Sequence, residues 1–181
     1  MFARQLCRDI VPYEDGPAPV DYRHWHFLLA GALVGAGASL HAWQPAQIAA
    51  ATLIVIALAT CAACDLQCGM LPDIGAFAVI GVSIVFAAVH RDGTPALSAA
   101  CIAVPFAGLA LLTRGRGMGW GDVKLVAAGG AVLGIGGAVV ACSAAAFVAY
   151  VIARRGAAPQ RPIPFGAYLA GAIALGFAVI R

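Results

Sequence analysis

The chain has 181 residues, of which 62% are hydrophobic and only 10% charged, with a mean hydropathy of +0.92 and a net charge of +3. A soluble domain carries about 25% charged residues. The composition therefore excludes an ordinary water-soluble globule and indicates an all-α, polytopic transmembrane helical bundle embedded in a lipid bilayer. The few basic residues are scattered, which argues against a nucleic-acid partner and suits markers of membrane topology.

Residues 1–25 hold Arg4, Arg8, Asp9, Glu14 and Asp15 and no sustained apolar core. They read as a short cytoplasmic lead-in rather than a cleavable signal peptide. Residues 26–181 read as a single transmembrane domain. Its apolar stretches fall at 26–43, 45–63, 74–90, 95–113, 122–134, 136–153 and 165–180, against about 20 residues for a spanning helix. The block from Asp122 to Ala153 is too long for one ordinary span, and Gly134-Ile135-Gly136-Gly137 offers a break in its middle.

Charge decides between the two readings of that block. With the N-terminus in the cytoplasm and a hairpin at the Gly-rich run, Arg4, Arg8, Arg23, Arg114, Arg116, Lys124, Arg154, Arg155 and Arg161 all lie inside. Only Arg91 and Arg181 are left outside. An unbroken block would put the Arg154-Arg155-Arg161 cluster outside, against the positive-inside rule. The hairpin gives seven apolar segments by count, the one at 122–134 a short helix beginning near Asp122, in a bundle of about six membrane helices.

Two aspartates stand out against this background. Asp65 closes an apolar stretch in Cys64-Asp65-Leu66-Gln67-Cys68-Gly69-Met70-Leu71-Pro72-Asp73, and Asp122 ends Gly117-Met118-Gly119-Trp120-Gly121-Asp122. An ionisable group at membrane depth is costly, which makes it a functional candidate by default. The hairpin topology brings both to the cytoplasmic ends of helices, at one membrane level. Two adjoining carboxyls cannot both ionise cheaply, so one keeps its proton. The ionised one can take a proton from water that attacks a peptide carbonyl, while the other donates to the carbonyl oxygen. Gly119 and Gly121 lack Cβ atoms and would let a peptide approach the backbone closely.

Gly117-Met118-Gly119-Trp120-Gly121-Asp122-Val123-Lys124-Leu125 resembles the GxGD-type aspartyl motif of the type IV prepilin peptidases. Asp65-Leu66 with Leu71-Pro72-Asp73 is similar to that family's first aspartate and the Ile-Pro-Asn-like turn after it. Ile163-Pro164-Phe165-Gly166-Ala167-Tyr168-Leu169-Ala170 resembles its Pro-Phe-Gly segment before the last helix. The three segments appear in family order. The resemblance implies an aspartyl endopeptidase of the bacterial inner membrane, which removes the leader peptide of prepilins or pseudopilins at the cytoplasmic face. Asp65 and Asp122 would be its catalytic pair. Asp73 stands where many relatives have asparagine. The methylating region of bifunctional members, with two Cys-x-x-Cys pairs in a cytoplasmic loop, has no counterpart here. The resemblance is thus to the short, peptidase-only members, such as those serving tight-adherence or Flp pili.

Beside these readings stand plainer ones. Asp65 could be a helix-end residue facing water, Asp122 an N-cap, and Asp73 a turn or cap residue. Lys124 could tune an acid, bind substrate or snorkel to the surface. Trp120 suits either an interfacial aromatic belt or the wall of a substrate cleft. Cys61, Cys64 and Cys68 share one helical face, but a single Cys-x-x-Cys in an apolar helix is weak evidence of a ligand set, and neither a metal nor a cofactor is expected. The competing function is a small proton- or cation-coupled transporter that uses the two buried acids.

Overall fold

The computed structural model describes residues 25–41, 43–114, 118–155 and 163–180. All but one residue of the lead-in, together with Arg116, Gly117 and Arg161, lie outside the described residues. Six helices follow one another: α1 (Trp25–His41), α2 (Pro45–Cys68), α3 (Asp73–Val89), α4 (Thr94–Leu112), α5 (Trp120–Arg155) and α6 (Phe165–Ile180). Three of them, α2, α4 and α5, are long and apolar enough to cross a membrane. Helices α3 and α6 are apolar but shorter. The all-helical bundle matches the fold class that composition implied.

Local sequence explains where the helices start and stop. Pro45 opens α2 at a position where its missing N–H costs nothing, and the Gln44 N–H donates to Gln47 Oε1 at 2.7 Å. Three residues past Asp65, α2 ends at Cys68. Gly69 then takes a left-handed conformation (φ 64°), and its N–H donates to the Asp65 carbonyl at 2.8 Å. Pro72, in an extended conformation, redirects the chain into α3.

At Gly134 the 36-residue α5 breaks, with φ 72° and ψ 177°, a backbone region open essentially to glycine alone. Two arms result, Trp120–Leu133 and Ile135–Arg155. A Cβ added at Gly129 would lie 3.9 Å from the Cβ of Ala138, whereas nine residues of straight helix separate two side chains by about 13.5 Å. The arms therefore fold back on each other as a hairpin, at the Gly-rich run where charge placed one. Leu133 packs on Gly176 near the end of α6, so the turn lies at the end of the bundle remote from Asp65. Arg154 consequently returns to the aspartate end, and Arg91, following α3, stays at the other.

Helices α2, α5 and α6 form the centre, with Val55, Leu58, Leu125, Val126, Val132, Leu169 and Ile173 fully buried among them. Lipid tails are as apolar as leucine, so membrane helices associate through close packing of small residues. Gly130 shows this: a Cβ there would stand 2.8 Å from the Ser98 carbonyl oxygen and 3.0 Å from the Ala99 Cα, so the backbones of α4 and α5 touch. The outer faces expose Val85, Val89, Leu111, Leu112, Phe147 and Val179, as expected of a surface solvated by lipid.

Candidate active site

Asp65 sits one turn before the end of α2 and is buried, with 7% of its surface exposed. A buried carboxylate must find donors or neutralise. Asp65 finds them on α6, 102 positions away in sequence. The Ala167 N–H donates to Asp65 Oδ2 at 2.8 Å, and the Gly166 N–H also reaches the carboxylate. Both are among the first N–H groups of α6, which no intrahelical carbonyl can satisfy. A carboxylate at this helix N-terminus is also favoured by the macrodipole.

Asp122 lies in the first turn of α5, half-buried, within electrostatic reach of Asp65. It is the third residue of the helix, so it is not the N-cap residue itself but reaches back to that position, as in half of a capping box. The Gly119 backbone hydrogen-bonds to its carboxyl, and a Cβ on Gly119 would come within 3.4 Å of Asp122 Oδ2. Gly121 is pressed against Leu71, which a Cβ there would meet at 2.9 Å. The two glycines thus differ: Gly121 leaves room for the α2–α3 connector, whereas a Cβ on Gly119 would meet the carboxyl at ordinary contact distance.

The remaining candidates separate. Lys124 pairs with Asp73, Nζ to Oδ2 at 2.6 Å, and also lies over the Phe77 ring at 5.6 Å from its centroid. Asp73 opens α3 as its first residue, so the pair ties α3 to α5 at the rim of the aspartate site. Trp120 is about half exposed at the start of α5. Cys61 is buried against Gly75 and the Pro72 carbonyl, as a packing residue would be. Among the described residues, no three His, Cys, Asp or Glu side chains gather as a metal-ligand set.

Sequence reasoning missed three contributors: the Gly166 and Ala167 N–H groups, the Asp73–Lys124 pair, and Leu71. The Pro-Phe-Gly segment was visible as a motif, but backbone donors carry no side-chain signature. The ion pair spans 51 positions, and no spacing rule connects them. Leu71 looks like any other apolar residue.

The arrangement puts two carboxyls from distant helices at one end of a membrane bundle, one held by backbone donors and the other beside glycines. No curated protein and no solved structure matches the chain significantly. The profile of the type IV leader peptidase family does match, over residues 52–154. That range is more than half of the chain and contains both aspartates, the connector between α2 and α3, and the break at Gly134. The chain belongs to the type IV leader peptidase family, and is thus a peptidase of the membrane.

Proposed function

We propose that the protein is an aspartyl endopeptidase that removes the leader peptide of type IV prepilins or pseudopilins at the cytoplasmic face of the bacterial inner membrane. The observation that carries the reading is the placement of Asp65 and Asp122, within electrostatic reach of each other, at the end of the bundle to which Arg114, Lys124 and Arg154 also come. By the positive-inside rule that end is cytoplasmic, and the N-terminus lies on the same side.

In this mechanism the two carboxyls share one proton. The ionised carboxylate takes the proton of a water that attacks the scissile carbonyl, and the protonated one donates its proton to the carbonyl oxygen. As the tetrahedral intermediate collapses, a proton passes to the leaving amine and the C–N bond breaks. The Gly166 and Ala167 N–H groups hold Asp65 in place through these steps. The activity proposed is leader removal without N-methylation.

Co-expression with a prepilin from the same genome tests the reading by the gel shift that accompanies leader removal. Asp65→Asn and Asp122→Asn should each slow cleavage by about 10²–10⁴-fold, the range expected for loss of a positioned acid or base, while both variants still insert in the membrane. Cleavage at the wild-type rate by either variant would refute it. Ion flux that the same substitutions abolish would favour a transporter instead.

A further inference from the structure

Leu71 has an unusual position. It lies in the short connector between α2 and α3, and its side chain is lodged between two glycines from different helices. A Cβ on Gly121 would meet Leu71 Cβ at 2.9 Å and Cδ1 at 3.3 Å. A Cβ on Gly166 would meet Leu71 Cδ1 at 2.6 Å, with Cδ2 and Cγ both at 2.9 Å. Real Cβ atoms essentially never come this close to a neighbour, so a side chain on either glycine would displace Leu71, which rests directly on both backbones.

Those two backbone stretches are the ones that hold the carboxyls. Gly121 immediately precedes Asp122. Gly166 and its neighbour Ala167 donate to Asp65. Leu71 is itself tethered to Asp65 by only six residues of chain, through the left-handed turn at Gly69. One apolar side chain therefore touches the segment carrying one acid and the segment anchoring the other. It also packs against the central core, which fixes its own placement.

We propose that Leu71 is a positioning residue, a spacer whose bulk sets the separation of the Asp65 and Asp122 carboxyls. The proposal rests on the aspartyl peptidase reading above. A dyad works only within a narrow range of separations, because a proton and a water must pass between the two groups. A displacement of about 1 Å is enough to cost on the order of 10²-fold in rate. A leucine between two glycines is a close gauge, since its side chain touches both backbones and neither glycine has a side chain that could yield. In this role, loss of the spacer acts on the chemical step.

The test uses the full chain reconstituted in lipid nanodiscs, with a prepilin that the wild type cleaves in the co-expression assay. Leu71→Ala should lower kcat by roughly 10–10²-fold with KM changed by less than about twofold, and Leu71→Met, which nearly conserves volume, should recover most of that loss. Gly166→Ala should lower both kcat and the melting temperature, because its Cβ meets Leu71. Combined with Leu71→Ala, the Gly166→Ala substitution should produce little further drop in melting temperature, since the space is then open. A Leu71→Ala enzyme with wild-type kcat, or one in which KM alone rises, would overturn the proposal. So would melting-temperature losses that simply add in the double variant. Failure of the underlying reading looks different: Asp65→Asn and Asp122→Asn would retain cleavage, while the melting-temperature coupling of Leu71 and Gly166 persisted.

Discussion

The two ends of the bundle are built from the same apolar alphabet and finished differently. At the aspartate end, chain segments remote in sequence are bonded together: Asp65 to the start of α6, Asp73 to Lys124 on α5, and Leu71 to two glycines. At the opposite end a half-open crevice of about 330 Å³ lies among Trp43, Gln47, Phe86, His90 and Phe177. The hydrogen bonds of Ser83, His90 and Thr94 there are local, reaching two to four residues along the chain. Among the described residues, polar bonds between distant elements tie the aspartate end, while the opposite end is joined by contacts such as Trp43 against Phe177 and Leu133 against Gly176.

Substitutions can break this contrast or sharpen it. Asp65→Ala should show the largest effect at the aspartate end. Beyond abolishing cleavage, it strands the Gly166 and Ala167 N–H groups, and an unsatisfied buried donor costs about 1–3 kcal/mol. Thermal unfolding in detergent should record that loss, and an unchanged midpoint would show that the α2–α6 bond carries no stability. Lys124→Met should cost less. Its ion pair with Asp73 is 30% and 58% exposed on the two sides, and exposed pairs contribute about 0–1 kcal/mol. Cleavage should fall by no more than a few-fold, and a loss comparable to that of the aspartates would move Lys124 from the rim into the chemistry. Ala87→Val, in the crevice wall, should have the smallest effect. Its two added methyls have open space beside them, the helix-propensity difference is about 0.5 kcal/mol, and the cleavage rate should not change. A marked loss of cleavage would mean that the two ends are coupled.

Much of this was legible in the sequence, and what was not has a physical reason. The membrane bundle followed from hydropathy, and the break in α5 from Gly134 together with the charge on Arg154. That Asp65 and Asp122 share one end of the bundle followed from topology alone, because an even number of crossings separates them. The helix limits shifted by a few residues: α2 runs on through Asp65 to Cys68, where apolarity had suggested an end near residue 63. A helix persists as long as its hydrogen bonds do, and the stop came from Gly69 rather than from the loss of apolar character. The partners of Asp65 were hidden because they are peptide N–H groups, which every residue but proline possesses. The Asp73–Lys124 bond was hidden because each residue had an adequate account on its own, as a turn residue and as a surface lysine.

The lengths of the helices carry one more consequence. At about 1.5 Å per residue, α3 rises roughly 26 Å, α6 roughly 24 Å, and the first arm of α5 roughly 21 Å, against a hydrocarbon layer of about 30 Å. A protein shorter than its solvent draws the lipid inward around it. The arm that carries Asp122 in its first turn is the shortest of these. A bilayer drawn inward around that arm at its aspartate end would bring headgroups and water closer to the two carboxyls than a layer of full thickness does.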